Sequence, residues 1–450
     1  MEANKIIIIG GNAAGPAAAA KAKRFNPNVE VLMIESGGYI STGTCEIPYV
    51  LSGEINSYEN VVLYTPEKFK EEKGVDVLSN HSVESIDKKQ KEVIVVDKIK
   101  GKNFSVPYDK LILCTGSTSI KLDIYSPYNN VFNLKSISDL LFIKNFISDN
   151  NVKKTLVVGS GYIGLETAEA LNLLGLSVTL FDIAELPFPK SEFEIQSLIS
   201  ECLKNNQVNF YSHAKNIQII SEDEKIKSIK IDGRILEFDL VITAVGVLPN
   251  VQLAKESGLD IGATGAIKVN NKLRTCNNHI YAAGDNIEVI NAITKRPDCI
   301  LLATVAHKAG HIAGENAAGG NVFLQPIIKN IAVKIFDYYY SQVGLTANES
   351  EMYNLNYGTV SAVMPNLVKV MPESKKVFGK IIYDKNTKLI LGASFFGGKE
   401  VSGYADLISV FIFNKINANI LSNIDYNYTP PLSPMINLLS VLGRKLNGFI

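Results

Sequence analysis

Two stretches of the chain repeat one pattern of apolar and polar positions. An apolar run is followed by a glycine cluster, a segment rich in small residues, and a second apolar run that ends on an acid. The first is KIIIIGGNAAGPAAAAKAKR with VEVLMIES, carrying Gly10, Asn12, Ala14 and Gly15 in the turn and Glu35 at the end. The second is KTLVVGSGYIGLETAEALNLLGLSVTLFD, with Gly159, Gly161 and Gly164 in the turn and Asp182 at the end. Each predicts strand, tight turn, helix, strand. Three further apolar runs end in glycine turns: YDKLILCTGS with Thr115 and Gly116, DLVITAVGVLPN with Gly246, and LRTCNNHIYAAGDN with Gly284 and Asp285. These read as buried parallel strands. From about Asn330 the pattern changes to alternation in NIAVKIFDYYYSQVGLT, YGTVSAVM, VFGKIIYD and LILGASFFG, then to helical segments in VSGYADLISVFIFNKI and SPMINLLSVLG. An antiparallel sheet with helices is expected there.

The repeated unit has a chemical reading. Glycine permits the turn at Gly10 and close helix–strand packing at Gly15, the helix N-terminus faces a pyrophosphate, and the terminal carboxylate bonds a ribose. The first copy departs from GxGxxG at Asn12; the second is complete. At Asp182 a carboxylate accepts ribose hydroxyls and repels a 2′-phosphate, and Ile183, Ala184 and Glu185 supply no cation. This predicts NADH over NADPH. Asp285 could accept hydrogen bonds from a polyhydroxylated ligand, or cap a helix.

Charge balance removes other classes. With 45 basic and 45 acidic residues there is no electrostatic footprint for nucleic acid or an anionic membrane. The apolar run at the N-terminus is too short for a signal peptide, no run is long enough to span a bilayer, and the cytoplasm is the expected compartment. Five scattered cysteines form neither a disulfide framework nor a metal site. One of them, Cys45 in STGTCEIPYVLSG, follows polar residues and precedes Pro48. That suits a helix N-terminus, whose dipole lowers a thiol's pKa.

The two fingers, the CTGS strand end, the GVLPN turn and IYAAGD stand in the order that resembles the pyridine nucleotide-disulfide oxidoreductase family of flavoproteins, over essentially the whole chain. The resemblance implies an α/β fold of two Rossmann-like dinucleotide-binding domains and a C-terminal α+β dimerisation domain. Residues 1–117 and 251–328 would bind FAD, 118–250 would bind NAD(P)H, and 329–450 would form the interface of a homodimer. It further implies that Asp285 meets the ribityl-phosphate side of FAD, that Tyr162 covers the flavin where nicotinamide enters, and that Glu166 lies near the flavin ring. Two-cysteine members carry CxxxxC; here no second cysteine follows Cys45, so the segment looks like the single-cysteine branch, most similar to coenzyme A disulfide reductase and the NADH-dependent persulfide or polysulfide reductases. Oxidase and peroxidase relatives carry a histidine in the first glycine turn, where this chain has Ala13. By the same resemblance Lys21, Arg24, Ser41, Lys73 and His307 fall on coenzyme A-contacting positions, with Thr44 replacing an asparagine. Tyr428, in DYNYTPPLSP, would approach the sulfur of the opposite subunit and could donate a proton to a leaving thiolate. The expected activity is FAD-dependent NADH reduction of a small thiol's disulfide through Cys45. The alternatives are polysulfide or persulfide reduction, an NADH oxidase working through a Cys45 sulfenate, and a flavin-binding redox sensor without turnover.

Overall fold

The computed structural model describes residues 4–449. Strand Lys5–Ile9 is central in a five-stranded parallel sheet, between Glu30–Ile34 and Lys110–Leu113, with Asp76–Leu78 and Ile280–Ala282 at the edges. Ile6 to Ile9 are all buried, as an uninterrupted apolar run requires when both faces are covered. Two sets of elements share that core. Helices Ala14–Phe25 and Ala303–Ala317 lie together along a seam of small residues, where a Cβ on Gly310 or Gly314 would overlap the carbonyl oxygen of Ala14 or Ala18. A three-stranded antiparallel ribbon, His81–Asp87, Glu92–Asp97 and Lys102–Pro107, contributes Val93, Val95 and Val106.

The plan recurs around Lys154–Val158, which pairs in parallel with Ser177–Phe181 and Leu240–Thr243, with Val131–Phe132 and Asn209–Tyr211 outside. It too carries a ribbon, Ile217–Glu222, Lys225–Ile231 and Arg234–Glu237. The chain crosses between the two sheets twice, and the crossing segments pair antiparallel, Ser117–Ser119 against Val247–Pro249.

Beyond Asn330 the alternating runs form the expected antiparallel sheet, ordered Asn330–Ile335, Tyr338–Gly344, Ile390–Gly397, Lys376–Asp384 and Tyr357–Pro365. Helix Val401–Asn414 packs on it. The last helix is shorter than SPMINLLSVLG suggests: it spans Leu438–Leu446, because the Asn437 side chain accepts the Leu439 N–H at 2.9 Å and caps it there. The fold is therefore the expected mixed α/β architecture with a separate C-terminal unit. No helix among the described residues is long and apolar enough to cross a membrane.

All three units meet at the short helix Ile47–Ser52. Ile47, Val50 and Leu51 share a core with Leu165 and Ala168 of helix Tyr162–Leu173 and with Ile331 and Ile335. Beside it the buried Glu169 pairs with Lys334 at 2.7 Å and accepts the Phe336 N–H at 2.6 Å. A second tie, Lys380 to Glu192 at 2.9 Å, joins the same two units further out.

Candidate active site

Between the two parallel sheets lies a cavity of about 1870 Å³. Ordinary ligand pockets measure roughly 300–1,000 Å³, so this one has room for two dinucleotides. Gly10, Asn12, Ala14, Glu35, Thr115, Gly116, Gly159, Gly161, Tyr162, Glu166, Asp182, Gly246, Gly284 and Asp285 all line it. Gly15 and Gly164 do not, because each lies behind its turn: a Cβ on Gly15 would overlap the Gly10 carbonyl oxygen, and one on Gly164 that of Gly159. Gly10 itself adopts φ +108° with Cys114 backbone against its α-carbon, a conformation that excludes a side chain.

Both cradles fit a dinucleotide. Helices Ala14–Phe25 and Tyr162–Leu173 begin without a capping side chain, so their first N–H groups are available to an anion. Glu35 is held by the N–H groups of Gly11 and Gly37, both at 2.6 Å. Asp182 is held in the same way by the Ser160 N–H at 2.7 Å, the Ser160 hydroxyl at 2.5 Å and the Ala184 N–H at 2.9 Å. Such bonds fix each carboxylate at the strand end with lone pairs left over for ribose hydroxyls. Asn12 is anchored outward, accepting from the Thr42 hydroxyl at 3.0 Å.

At the junction of the two cradles the Ser117 hydroxyl donates to Asp285 at 2.9 Å, and the half-buried ammonium of Lys135 donates to Ser117 at 2.9 Å. Burial lowers the pKa of Lys135, while Asp285 and Asp139 oppose the shift. Lys135 stands outside any glycine turn, and Ser117, though it closes the CTGS turn, has no partner evident from sequence; the crossing of the chain between the sheets brings both to Asp285. Tyr162 is edge-on to Phe188, with ring centroids 5.2 Å apart, and burial pushes its phenol up to about 12. Burial, and then the Glu169 charge, raise Glu166 to about 7.

Cys45 occupies the single turn Thr44–Glu46 immediately before helix Ile47–Ser52, and its thiol is exposed into the cavity. The expectation of a lowered pKa fails. Enclosure by the cavity walls pushes the thiol up, and Glu46, Glu166 and Asp285 add to the shift. A helix of six residues that opens on a glutamate supplies little dipole against three acids and desolvation.

The family model for pyridine nucleotide-disulphide oxidoreductase matches residues 4–310, and that for its dimerisation domain matches residues 331–439. The chain belongs to this family. As a member it is an NAD(P)H- and FAD-dependent oxidoreductase, and the two cradles just described are where its dinucleotides fit. It is 33% identical to an NADH oxidase of Methanocaldococcus jannaschii over 97% of both chains. It is 28% identical to a coenzyme A disulfide reductase of Staphylococcus aureus over 98% of this chain and 99% of the other. The structure of an NAD-dependent persulfide reductase from A. fulgidus superposes with TM-score 0.94 at 30% identity, covering 99% of this chain and 84% of that one.

Of the residues that the family resemblance assigned to coenzyme A, only Thr44 lines the cavity. Lys21, Arg24 and His307 instead come together on the outer side of the paired helices Ala14–Phe25 and Ala303–Ala317, where their charges all face His311. His311 was missed from sequence; its ring lies 4.4 Å from that of His307. Lys21 is already engaged, 2.8 Å from Glu315. Lys73 stands over the Tyr64 ring at 5.2 Å and 3.6 Å from Glu72. Ser41 adopts φ +50°, and its hydroxyl is buried without a hydrogen-bond partner. Tyr428 is exposed on the C-terminal unit and does not line the cavity that holds Cys45 of its own chain.

Proposed function

We propose that the chain uses NADH to reduce the disulfide of a small thiol, coenzyme A disulfide foremost, through a mixed disulfide on Cys45. The observation that supports this most is one exposed thiol on a wall between two dinucleotide cradles, with no accessible partner sulfur. Among the described residues Cys114 shares the wall but is buried, Cys202 is buried, and Cys276 and Cys299 do not line the cavity. Arg24, Lys73 and His307, outside the cavity, supply charge for the phosphates of such a thiol. Ala13 in place of a histidine favours disulfide chemistry over peroxide chemistry.

Flavin, when bound, relays two electrons from the nicotinamide to sulfur. The chain's own residues do the rest. Tyr162 guards the nicotinamide side, and Asp182 holds the ribose. Reduction of the mixed disulfide breaks its S–S bond, leaving a Cys45 thiolate and one free thiol. The thiolate attacks the next disulfide, re-forms the mixed disulfide and expels the second thiol as thiolate, which takes up a proton. The sum is NADH + H⁺ + RS–SR → NAD⁺ + 2 RSH. In a homodimer Tyr428 would reach the partner's Cys45.

Mass spectrometry of protein purified without reductant tests the reading. A coenzyme A adduct on Cys45 supports it, a sulfenate supports the oxidase, and an unmodified thiol with no NADH turnover supports a redox sensor. Anaerobic NADH assays with coenzyme A disulfide, polysulfide and, separately, oxygen rank the acceptors. Fast oxygen consumption that survives C45S would overturn the mixed-disulfide mechanism.

A further inference from the structure

Phe188 stands where the two ends of the nicotinamide cradle meet. It lies in the loop after strand Ser177–Phe181, and Phe188, Pro189 and Lys190 of that loop line the large cavity. Its φ is +60°, a left-handed conformation that a bulky side chain adopts only where its surroundings hold it. Three contacts do so. Its ring is buried edge-on between Tyr162 and Tyr340, with centroids 5.2 Å from the first and 4.9 Å from the second. Its N–H is shared between the Ser160 hydroxyl at 3.2 Å and the Ser160 carbonyl at 3.1 Å. Its carbonyl accepts the Ser191 hydroxyl at 2.9 Å. Ser160 is itself fully buried. A carboxylate only accepts and an amide N–H only donates, so the Ser160 hydroxyl gives its proton to Asp182 and takes that of Phe188. One chain of bonds thus runs from Asp182 through Ser160 to the loop whose ring backs Tyr162.

We propose that Ser160 and Phe188 are positioning residues that set the two ends of the NADH site together. Ser160 fixes the Asp182 carboxylate, Phe188 fixes the Tyr162 ring, and the bond between them makes adenosine recognition and the nicotinamide entrance one unit. This rests on the reading of Asp182 as the ribose acceptor and of Tyr162 as the ring over the flavin. Tyr340 supports the far side of the Phe188 ring. It belongs to strand Tyr338–Gly344 of the C-terminal unit, and its hydroxyl is used elsewhere, donating to Gln342 at 2.9 Å. The Phe188 ring therefore has a rigid wall behind it and the Tyr162 ring in front, so its loss frees Tyr162 without breaking any bond of Asp182.

The test uses oxidised holoenzyme and ADP-ribose, which carries the adenosine half of the cofactor without nicotinamide. Three readouts are compared in wild type, S160A, F188L, Y162A and Y340F: calorimetric affinity for ADP-ribose, flavin fluorescence, which a phenol lying against the ring quenches, and kcat and KM for NADH with an artificial electron acceptor. F188L keeps apolar bulk and the backbone N–H but loses the ring edge. It should bind ADP-ribose as wild type does, while fluorescence rises and kcat falls roughly tenfold. S160A should weaken ADP-ribose roughly tenfold, through loss of a hydrogen bond to a charged group, and should raise fluorescence as well. Y340F breaks a buried hydrogen bond in the same core but keeps every ring, so it should lower the thermal midpoint and leave the three readouts at wild type. An F188L protein with wild-type fluorescence and kcat, an S160A protein whose fluorescence is unmoved, or a Y340F protein whose fluorescence rises as far as that of F188L would overturn the proposal. Y162A separates the two levels. Wild-type fluorescence in Y162A would refute the placement of Tyr162 and the proposal with it, whereas a rise in Y162A with none in F188L would refute the positioning by Phe188 alone.

Discussion

Replacing Asp182 should narrow or reverse the choice between the two nicotinamide cofactors. Its carboxylate is clamped by Ser160 and Ala184, so it is held rigidly at the strand end where the proposed site puts the adenosine ribose. Loss of charge-assisted hydrogen bonds to the ribose hydroxyls costs about 1.5–3 kcal/mol, which is roughly ten- to hundredfold in kcat/KM for NADH. A 2′-phosphate brought within about 4 Å of the carboxylate is opposed by up to about 4 kcal/mol per unit charge near a protein surface, close to a thousandfold. Local sequence offered no compensating cation, but the fold does: Lys190 and Lys215 line the same cavity, and the Ala214 N–H bonds the Asp182 carbonyl at 2.9 Å. In D182A the repulsion is gone and these lysines remain, so the NADPH-to-NADH ratio of specificity constants should rise at least about a hundredfold. D182N, which preserves size, separates loss of charge from collapse of the loop. The assay is steady-state kcat/KM with each cofactor at fixed disulfide. Equal specificity constants in the wild type, or an equal loss for both cofactors in D182A and D182N, would refute the reasoning.

C45S should abolish NADH-dependent disulfide reduction while electron transfer to an artificial acceptor persists, read in parallel assays of one preparation. G164A drives a Cβ into the Gly159 carbonyl and should raise KM for NADH by about a hundredfold through misplacement of the helix, with flavin absorbance retained because the other cradle is untouched. E169Q keeps an acceptor for the Phe336 N–H and should cost about 1 kcal/mol; E169L leaves that buried N–H unsatisfied, with Lys334 still paired to Glu54, and should cost about 3 kcal/mol, as read by thermal unfolding. Glu166 has a folded pKa raised to about 7, above that of the unfolded chain. It therefore favours folding fully below about pH 4.5, and that contribution, ~3 kcal/mol at most, is lost as pH rises through 7. The thermal midpoint of E166Q should accordingly gain on wild type between pH 5 and pH 8 and match it at the acidic end.

The parts of this molecule that were legible in its sequence are those whose cause is local. A glycine at a forced turn, a small residue under a helix and an acid at a strand end are each dictated within about thirty residues, which is why both cradles and their two carboxylates could be placed. The two antiparallel ribbons, Glu92–Asp97 and Lys225–Ile231 with their neighbours, were overlooked. Their alternation is plain, but each is inserted into a parallel α/β unit whose strands are uninterrupted apolar runs, so no local feature ties them to that core. Lys135, Ser117, His311 and Lys215 were missed for a different reason. Each is a single polar residue with an ordinary surface reading; the chain crossing brings Ser117 and Lys135 to Asp285, and the pairing of two helices brings Lys21 and Arg24 to His311.

Cys45 shows what such non-local effects can do to a local rule. Its immediate surroundings predict an activated thiolate, yet enclosure by the cavity walls raises its pKa first, the neighbouring Glu46 next, and Glu166 and Asp285, more than a hundred positions away, add to the shift. The same shift has a use if the site works through a mixed disulfide. A thiol of high pKa is scarce as thiolate, but the thiolate that forms is intrinsically more nucleophilic and a poorer leaving group. The acids therefore disfavour a free Cys45 anion and favour its capture as a neutral disulfide, the state in which a one-cysteine reductase must wait for electrons. On this view Glu46, Glu166 and Asp285 stabilise the oxidised resting form by destabilising the alternative. Neutralising Glu166 should then make the mixed disulfide easier to reduce as well as make the thiol more acidic, and a redox titration of E166Q holoenzyme against a thiol buffer would show a higher potential at pH 8 and little change at pH 5. A potential unchanged at both values would separate the pKa of Cys45 from its redox poise and remove this role for the acids.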